Sequence, residues 1–199
     1  MEQLIMLVVL YFTVIVHEVA HGYVALLNGD ATAKLYGRLT FNPVPHIDLV
    51  GTILVPAILF FSQSGILFGW AKPVPVNPRN FRNYRTGELS VSASGPMSNF
   101  FLAAVFAQLL PWVGDNPGFF LLCKYGVIIN LYLMLFNLIP IPPLDGSKIL
   151  MPLLPRSLQE LYAQLEPVGF LLILILLYSG VWSILIMPIF RFLMGILLG

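Results

Sequence analysis

The sequence predicts an all-α polytopic membrane protein with four or five transmembrane helices and a re-entrant hairpin. Of its 199 residues, 58% are hydrophobic and only 10% are charged, against about 25% charged in an ordinary soluble domain. Mean hydropathy is +0.89. The apolar residues also fall into separate runs of the roughly 20 residues that a helix needs to cross a bilayer. The length suits a single domain, with a core over about residues 1–150 and a C-terminal helical segment over about 155–199.

The runs are residues 4–27, 49–71, 89–114, 125–144 and 167–190, with apolar residues continuing after Arg191 to Gly199. The pattern leaves open whether 168–199 is one span and a tail or a pair broken around Gly180. The first run lacks a basic leader and a small-residue cleavage site, so it is expected to be a span rather than a signal peptide.

Basic residues set the expected orientation. Lys34 and Arg38 follow the first run, Lys72, Arg79, Arg82 and Arg85 follow the second, and Lys148 and Arg156 follow the fourth. The loop at 113–120 has Asp115 and no Lys or Arg. By the positive-inside rule the basic loops are cytoplasmic and the N-terminus is outside. Residues 49–71 then begin and end on one side. They are expected to form a hairpin bent near Pro56 and around Ser62–Gly65, an ordinary span being the alternative. Arg79, Arg82 and Arg85 suit contact with anionic headgroups.

Chemistry concentrates in His17-Glu18-Val19-Ala20-His21, inside the first run. Two His four apart share one helix face and can bind one metal ion. Glu18 projects about 100° away, where it can reach a metal-activated water. An ionisable residue at the bilayer centre costs roughly 2.5–3.5 kcal/mol on insertion scales, so three together point to function. The plainer readings are a polar packing patch or a proton relay. The cluster predicts a zinc hydrolase whose active site lies in the membrane.

The rest of the shell is constrained by scarcity. There is one cysteine, Cys123, and only three histidines, His17, His21 and His46. A multi-cysteine zinc site and a disulfide framework are excluded. The third ligand is expected at Asp145, in Asn137-Leu-Ile-Pro-Ile-Pro-Pro-Leu-Asp145-Gly146, where prolines end a helix and Gly146 permits a turn. Asp145 also suits an N-cap, and His46 and Asp48 are rival ligands. With the hairpin, Asp145 arrives on the same side of the membrane as the two His.

Other polar positions have two readings each. Asn137 can bind substrate backbone or a developing oxyanion, or bond between helices. Gly95-Pro-Met-Ser-Asn99 suits close helix packing, with Asn99 bonding across to a neighbour. Residues 34–45 and 68–77 carry spaced prolines and are either sheet edges or plain loops. A net charge of +1 gives no sign of nucleic-acid binding.

With these motifs the chain resembles the site-2 protease family of intramembrane zinc metalloproteases. The resemblance rests on HEVAH at 17–21, GPMSN at 95–99 and NLIPIPPLDG at 137–146, with GRLTFNPVPHID at 37–48 and GWAKPVPVNPRNFRN at 69–83 similar to a compact prokaryotic branch. It implies one zinc per chain held by His17, His21 and Asp145, with Glu18 as base and Asn137 supporting substrate or oxyanion. It also implies a small membrane-embedded β-sheet from 34–48 and 69–77. The expected partners are the lipid bilayer and transmembrane protein substrates, cut near the cytoplasmic face in signalling or in clearance of remnant signal peptides. Nothing here corresponds to the PDZ or CBS domains of other members, and Ser147 stands where the family has a second glycine. A non-cutting adaptor would not need Glu18. A metal transporter would spread its polar residues along a path, whereas here they converge.

Overall fold

The computed structural model describes residues 1–62 and 71–199. Helix α1 runs Glu2–Leu27, followed by a helical turn, α2, at Thr32–Leu35. A π-helical stretch at Leu49–Leu54 leads into α3, Val55–Phe61. The long helices α4, Tyr84–Leu109, and α5, Pro117–Asn137, come next. Short α6, Asp145–Leu150, and α7, Arg156–Ala163, precede α8, Gly169–Tyr178, and α9, Val181–Leu198. Among the described residues, five helical segments are long and apolar enough to cross a membrane: Glu2–Leu27, Tyr84–Trp112, Pro117–Asn137, Arg156–Tyr178 and Val181–Leu198.

The centre of the fold is α1, α4 and α5 packed together. Two of these helices start on asparagine caps. The Asn83 side chain accepts from the Thr86 N–H at 3.1 Å, and Asn116 accepts from the Phe119 N–H at 3.0 Å, with Pro117 at the first helical position. One face of α4 buries Gly87, Val91, Gly95, Asn99, Ala103 and Ala107, a row at four-residue spacing. Residues so spaced lie one above another on a helix, and their small size lets α1 and α5 approach closely. Toward the far end, Ala103 and Ala107 join Val127, Leu131, Met134 and Leu135 of α5 and Phe190 of α9 in a closed apolar cluster. Outward, Leu4, Val8, Phe12, Phe101 and Val105 are exposed, as lipid-facing side chains must be.

The expected β-sheet is not there: the described residues contain no strand. Residues 34–48 form a helical turn, a loop and a 3-10 turn at Val44–His46. Residues 71–77 have no regular secondary structure, their prolines holding the preceding residues extended, and 69–70 lie outside the described residues. The reason lies in the hydrogen bonds. Pro73 and Pro75 have no N–H to give. The N–H of Val74 goes to the Glu18 carboxylate at 2.7 Å and that of Asn77 to Asp30 at 2.7 Å. Among the described residues, a single backbone bond, Lys72 N–H to the His46 carbonyl at 2.9 Å, joins the two segments. Arg38 adds side-chain bonds to the Lys72 and Pro73 carbonyls at 2.6 and 3.2 Å. The extended piece is a strap fastened by side chains.

Two further expectations meet the structure differently. The C-terminal region is the broken pair: α8 ends at Tyr178 and α9 starts after Gly180, whose φ of +78° favours glycine. In the second apolar run, Leu49–Phe61 is helical and rises less than about 20 Å, short of a bilayer core of about 30 Å. The wide π turn ends just before Pro56, which cannot donate the next helical bond. The return arm of the expected hairpin, residues 63–70, lies outside the described residues.

Asp30 is the anchor of the strap. Fully buried, it accepts from the Thr32 N–H at 3.1 Å, the Asn77 N–H and the Asn80 amide, the last two at 2.7 Å, and from the Thr32 hydroxyl. Burial alone would raise its pKa, but these donors outweigh it and hold the carboxyl below its ordinary 3.8. A depressed folded-state pKa gives stability that is present above the ordinary value and lost as pH falls through the folded one. Asp30→Ala should therefore lower the unfolding free energy in micelles at pH 7 by about 1–3 kcal/mol, because it strands buried donors. Thermal unfolding followed downward from pH 5 should show a smaller acid loss in the variant than in wild type.

Candidate metal centre

His17 and His21 lie one turn apart on the inner face of α1, and Asp145 opens α6 below the proline-rich turn that ends α5. The structure brings these three together and places His46 and Asp48 elsewhere. His17 Nε2 and His21 Nε2 are 3.0 Å apart. One carboxylate oxygen of Asp145 lies 3.1 Å from the first and 3.2 Å from the second. Asp145 is not an N-cap; Leu144 holds that position. Nor does Gly146 supply an unusual turn. It lets α6 sit against α5's exit, since a Cβ there would meet the Leu138 carbonyl oxygen at 2.2 Å.

The outer nitrogens fix what the inner ones present. His17 Nδ1 lies 2.5 Å from Asn99 Oδ1, and His21 Nδ1 lies 2.7 Å from the Val91 carbonyl. Both partners only accept, so each Nδ1 carries the proton. In the neutral rings each Nε2 then turns a lone pair toward the other and toward a carboxylate oxygen that has no hydrogen-bond partner. Three facing acceptors repel unless a cation lies between them. Tetrahedral zinc ligands at 2.0–2.1 Å stand roughly 3.3 Å from one another, close to the spacings found. Gly95 of α4 leaves this space clear, for a Cβ there would come within 2.4 Å of His21 Nε2 and 2.6 Å of His17 Nε2. Among the described residues, His17, His21 and Asp145 form the group of donors fit to hold a metal ion. The donor set, two imidazoles and a carboxylate with outer-shell acceptors in place, suits zinc.

A cleft of about 370 Å³ opens beside the three donors, and Glu18 and Asn137 both line it. Glu18 is held from the far side by the Val74 N–H. Asn137, the last residue of α5, gives one amide hydrogen to its own Leu133 carbonyl at 3.0 Å. Pro73, Val74 and Val76 of the strap form one wall, with Glu88 and Ser92 of α4 and Lys148 of α6 around the rest.

His46 and Asp48 have structural work. His46 is fully buried and donates from Nε2 to the Thr40 carbonyl at 2.9 Å. Asp48 caps the π-helical stretch, accepting from the Val50 and Gly51 N–H groups at 3.1 and 2.7 Å. Three contributors were not legible in the motifs. The motifs give Gly95 a packing role and Asn99 a bond across to a neighbouring helix, which it makes to His17 and Asn130, but they tie neither to the metal donors, and Asn130 stands in none of them. The only hint was that GPMSN places glycine and asparagine four apart, on one face of α4.

Peptidase family M50 matches residues 115–178, which include Asp145. The chain is 38% identical over 197 residues to YwhC of Bacillus subtilis (strain 168), provisionally named a zinc metalloprotease, covering 94% of this chain and 85% of the relative. It is 28% identical over 166 residues to Rip2 of Mycolicibacterium smegmatis, similarly named, covering 82% of this chain and 62% of that one. A zinc metalloprotease of Methanocaldococcus jannaschii is 26% identical over 153 residues, covering 77% of this chain and 35% of the relative. No solved structure matches at a significant level. With the Bacillus subtilis relative 38% identical over most of both chains, and five membrane-length helices among the described residues, one of which carries HEVAH, this multi-pass membrane protein belongs to peptidase family M50, the site-2 protease family, and is a zinc metalloprotease.

Proposed function

We propose that residues 1–199 form a single intramembrane endopeptidase domain that hydrolyses peptide bonds within or near transmembrane segments of other membrane proteins. The observation that carries this is the place of the metal donors: two of them face inward from a membrane-length helix, α1, beside a cleft lined by polar groups. His17, His21 and Asp145 would hold one zinc. When bound there, zinc supplies Lewis acidity, which acidifies water and polarises a carbonyl. Glu18 would take the proton from the attacking water and return it to the leaving amine. The Val74 N–H keeps its carboxylate at the cleft wall. Asn137 would offer its remaining amide hydrogen to the substrate backbone or the developing oxyanion. By the basic loops, the site faces the cytoplasmic side and the N-terminus is outside.

Purified protein in liposomes should cut at least one member of a panel of single-span substrates. Glu18→Gln should slow cutting by about 10²–10⁴-fold, the usual contribution of a general base, at unchanged zinc content. A chelator should stop the wild-type reaction and added zinc restore it. Equal cutting by wild type and variant would remove Glu18 from the mechanism.

Gly95→Ala tests the metal site without touching a ligand. Its Cβ would sit 2.4 Å from His21 Nε2, so the imidazoles must turn away. Metal analysis of the purified variant should show most of the zinc lost, together with activity.

A further inference from the structure

One chain of hydrogen bonds crosses the bundle behind the metal donors, and every side chain behind His17 in it is fully buried. Asn130 of α5 donates from Nδ2 to the Gly126 carbonyl at 2.8 Å and to the Thr13 hydroxyl at 3.0 Å. Asn99 of α4 donates from Nδ2 to Asn130 Oδ1 at 3.2 Å. Asn99 Oδ1 meets His17 Nδ1 of α1. Thr13, Asn99 and Asn130 are all 0% exposed.

The chain has one polarity. A backbone carbonyl only accepts, so Gly126 fixes which end of the Asn130 amide faces it. Asn130 Oδ1 must then face Asn99 and receive its Nδ2. That turns Asn99 Oδ1 toward His17, and an amide oxygen also only accepts. His17 must present Nδ1–H to it and keep the Nε2 lone pair for the metal. Flipping either amide would face donor with donor or acceptor with acceptor at a site without water, where an unmade bond is costly.

His21 reaches the same protonation pattern by a different route. Its Nδ1 rests on the Val91 backbone carbonyl, which no side-chain substitution at 91 removes. Ser94 Oγ stands 3.4 Å from His21 Nδ1 and gives its own hydrogen to the same carbonyl, so the backbone is the close acceptor for His21, whereas the close acceptor for His17 is a side chain of another helix.

We propose that Asn99, oriented by Asn130, is a positioning residue that sets the tautomer and direction of His17 and so the zinc affinity of the centre. This rests on the reading of His17, His21 and Asp145 as zinc ligands. Asn99→Leu removes the acceptor at similar volume. Outer-shell partners of this kind are worth about 10–100-fold in metal affinity. Asn99→Asp keeps an acceptor for Nδ1–H while giving up the hydrogen that Asn99 donates to Asn130 Oδ1. Asn130→Leu leaves Asn99 in place but free to flip.

The test is zinc affinity of the purified full chain in micelles, by competition against a chelator of known affinity, alongside the zinc-induced rise in unfolding temperature. Asn99→Leu should weaken zinc binding by about 10–100-fold, Asn99→Asp should stay within a few fold of wild type, and Asn130→Leu should fall between. If Asn99→Leu lowers the unfolding temperature of the metal-free protein but binds zinc as wild type does, the asparagines only hold helices together and the proposal is overturned. If Asn99→Leu does not fold, the other two variants decide: weakened binding by Asn130→Leu alone supports the proposal, and wild-type binding by both overturns it. His17→Ala separates the two levels. Wild-type affinity in that variant would sink the ligand assignment itself, whereas lost affinity there with intact affinity in Asn99→Leu sinks only the positioning role.

Discussion

The fold depends on satisfying a histidine that was carried into an apolar helix. His17 and His21 face the interior of a bundle whose outer surface is built for lipid, and lipid offers no hydrogen-bond partner. Their outer nitrogens must be paired by protein. That requirement brings α4 to α1, because Val91 and Asn99 supply both acceptors from one face two turns long. It also brings α5 to α4, because the Asn99 amide must itself be paired, and Asn130 does this. The mutual packing of α1, α4 and α5 and the polarity of the metal centre are therefore one problem with one solution.

The same face of α4 carries the steric side of that solution. Asn99 and Val91 lie one turn to either side of Gly95, and Gly95 is the position at which a side chain would enter the space between the imidazoles. A row of small residues is an ordinary means of helix approach in membranes. Here the approach also sets the size of the donor cluster, since α4 forms its floor. Pro96 follows directly, and having no N–H it omits one backbone bond of α4.

How much of this was legible depended on whether a residue's partner was local. HEVAH could be read because its two donors and its base lie within five residues of one helix. Asp145 could be read because prolines end α5 and force a turn just before it, and only three histidines were present to compete. Asn99 bonds across helices as its type suggests, but its partner His17 is 82 positions away, and nothing in GPMSN names it. The sheet was misread for a related reason. Spaced prolines do dictate extended backbone at 71–77, but extended backbone becomes a strand only if its N–H groups find a neighbouring backbone. Those of Val74 and Asn77 found carboxylates from the distant Glu18 and Asp30. The break at Gly180 was open in the sequence because glycine permits a positive φ without requiring one.

That strap gives Glu18 an unusual dependence. A carboxylate on a helix ordinarily takes its direction from its own backbone and rotamer. Here its direction is also fixed by the Val74 N–H, and Val74 is placed by bonds on both sides of it. Upstream, Arg38 grips the Lys72 and Pro73 carbonyls and the His46 carbonyl receives the Lys72 N–H. Downstream, Asp30 grips the Asn77 N–H and the Asn80 amide. Both clamps belong to the stretch between α1 and the π-helical turn, so the connection leaving the HEVAH helix returns to hold the segment that holds its glutamate. Ligand geometry is governed by the interior of the bundle through Asn99, and base geometry by the loops at its end through Val74. Substitutions in the loops can thus misdirect Glu18 while leaving the three metal donors where they are, and substitutions in the bundle can do the reverse.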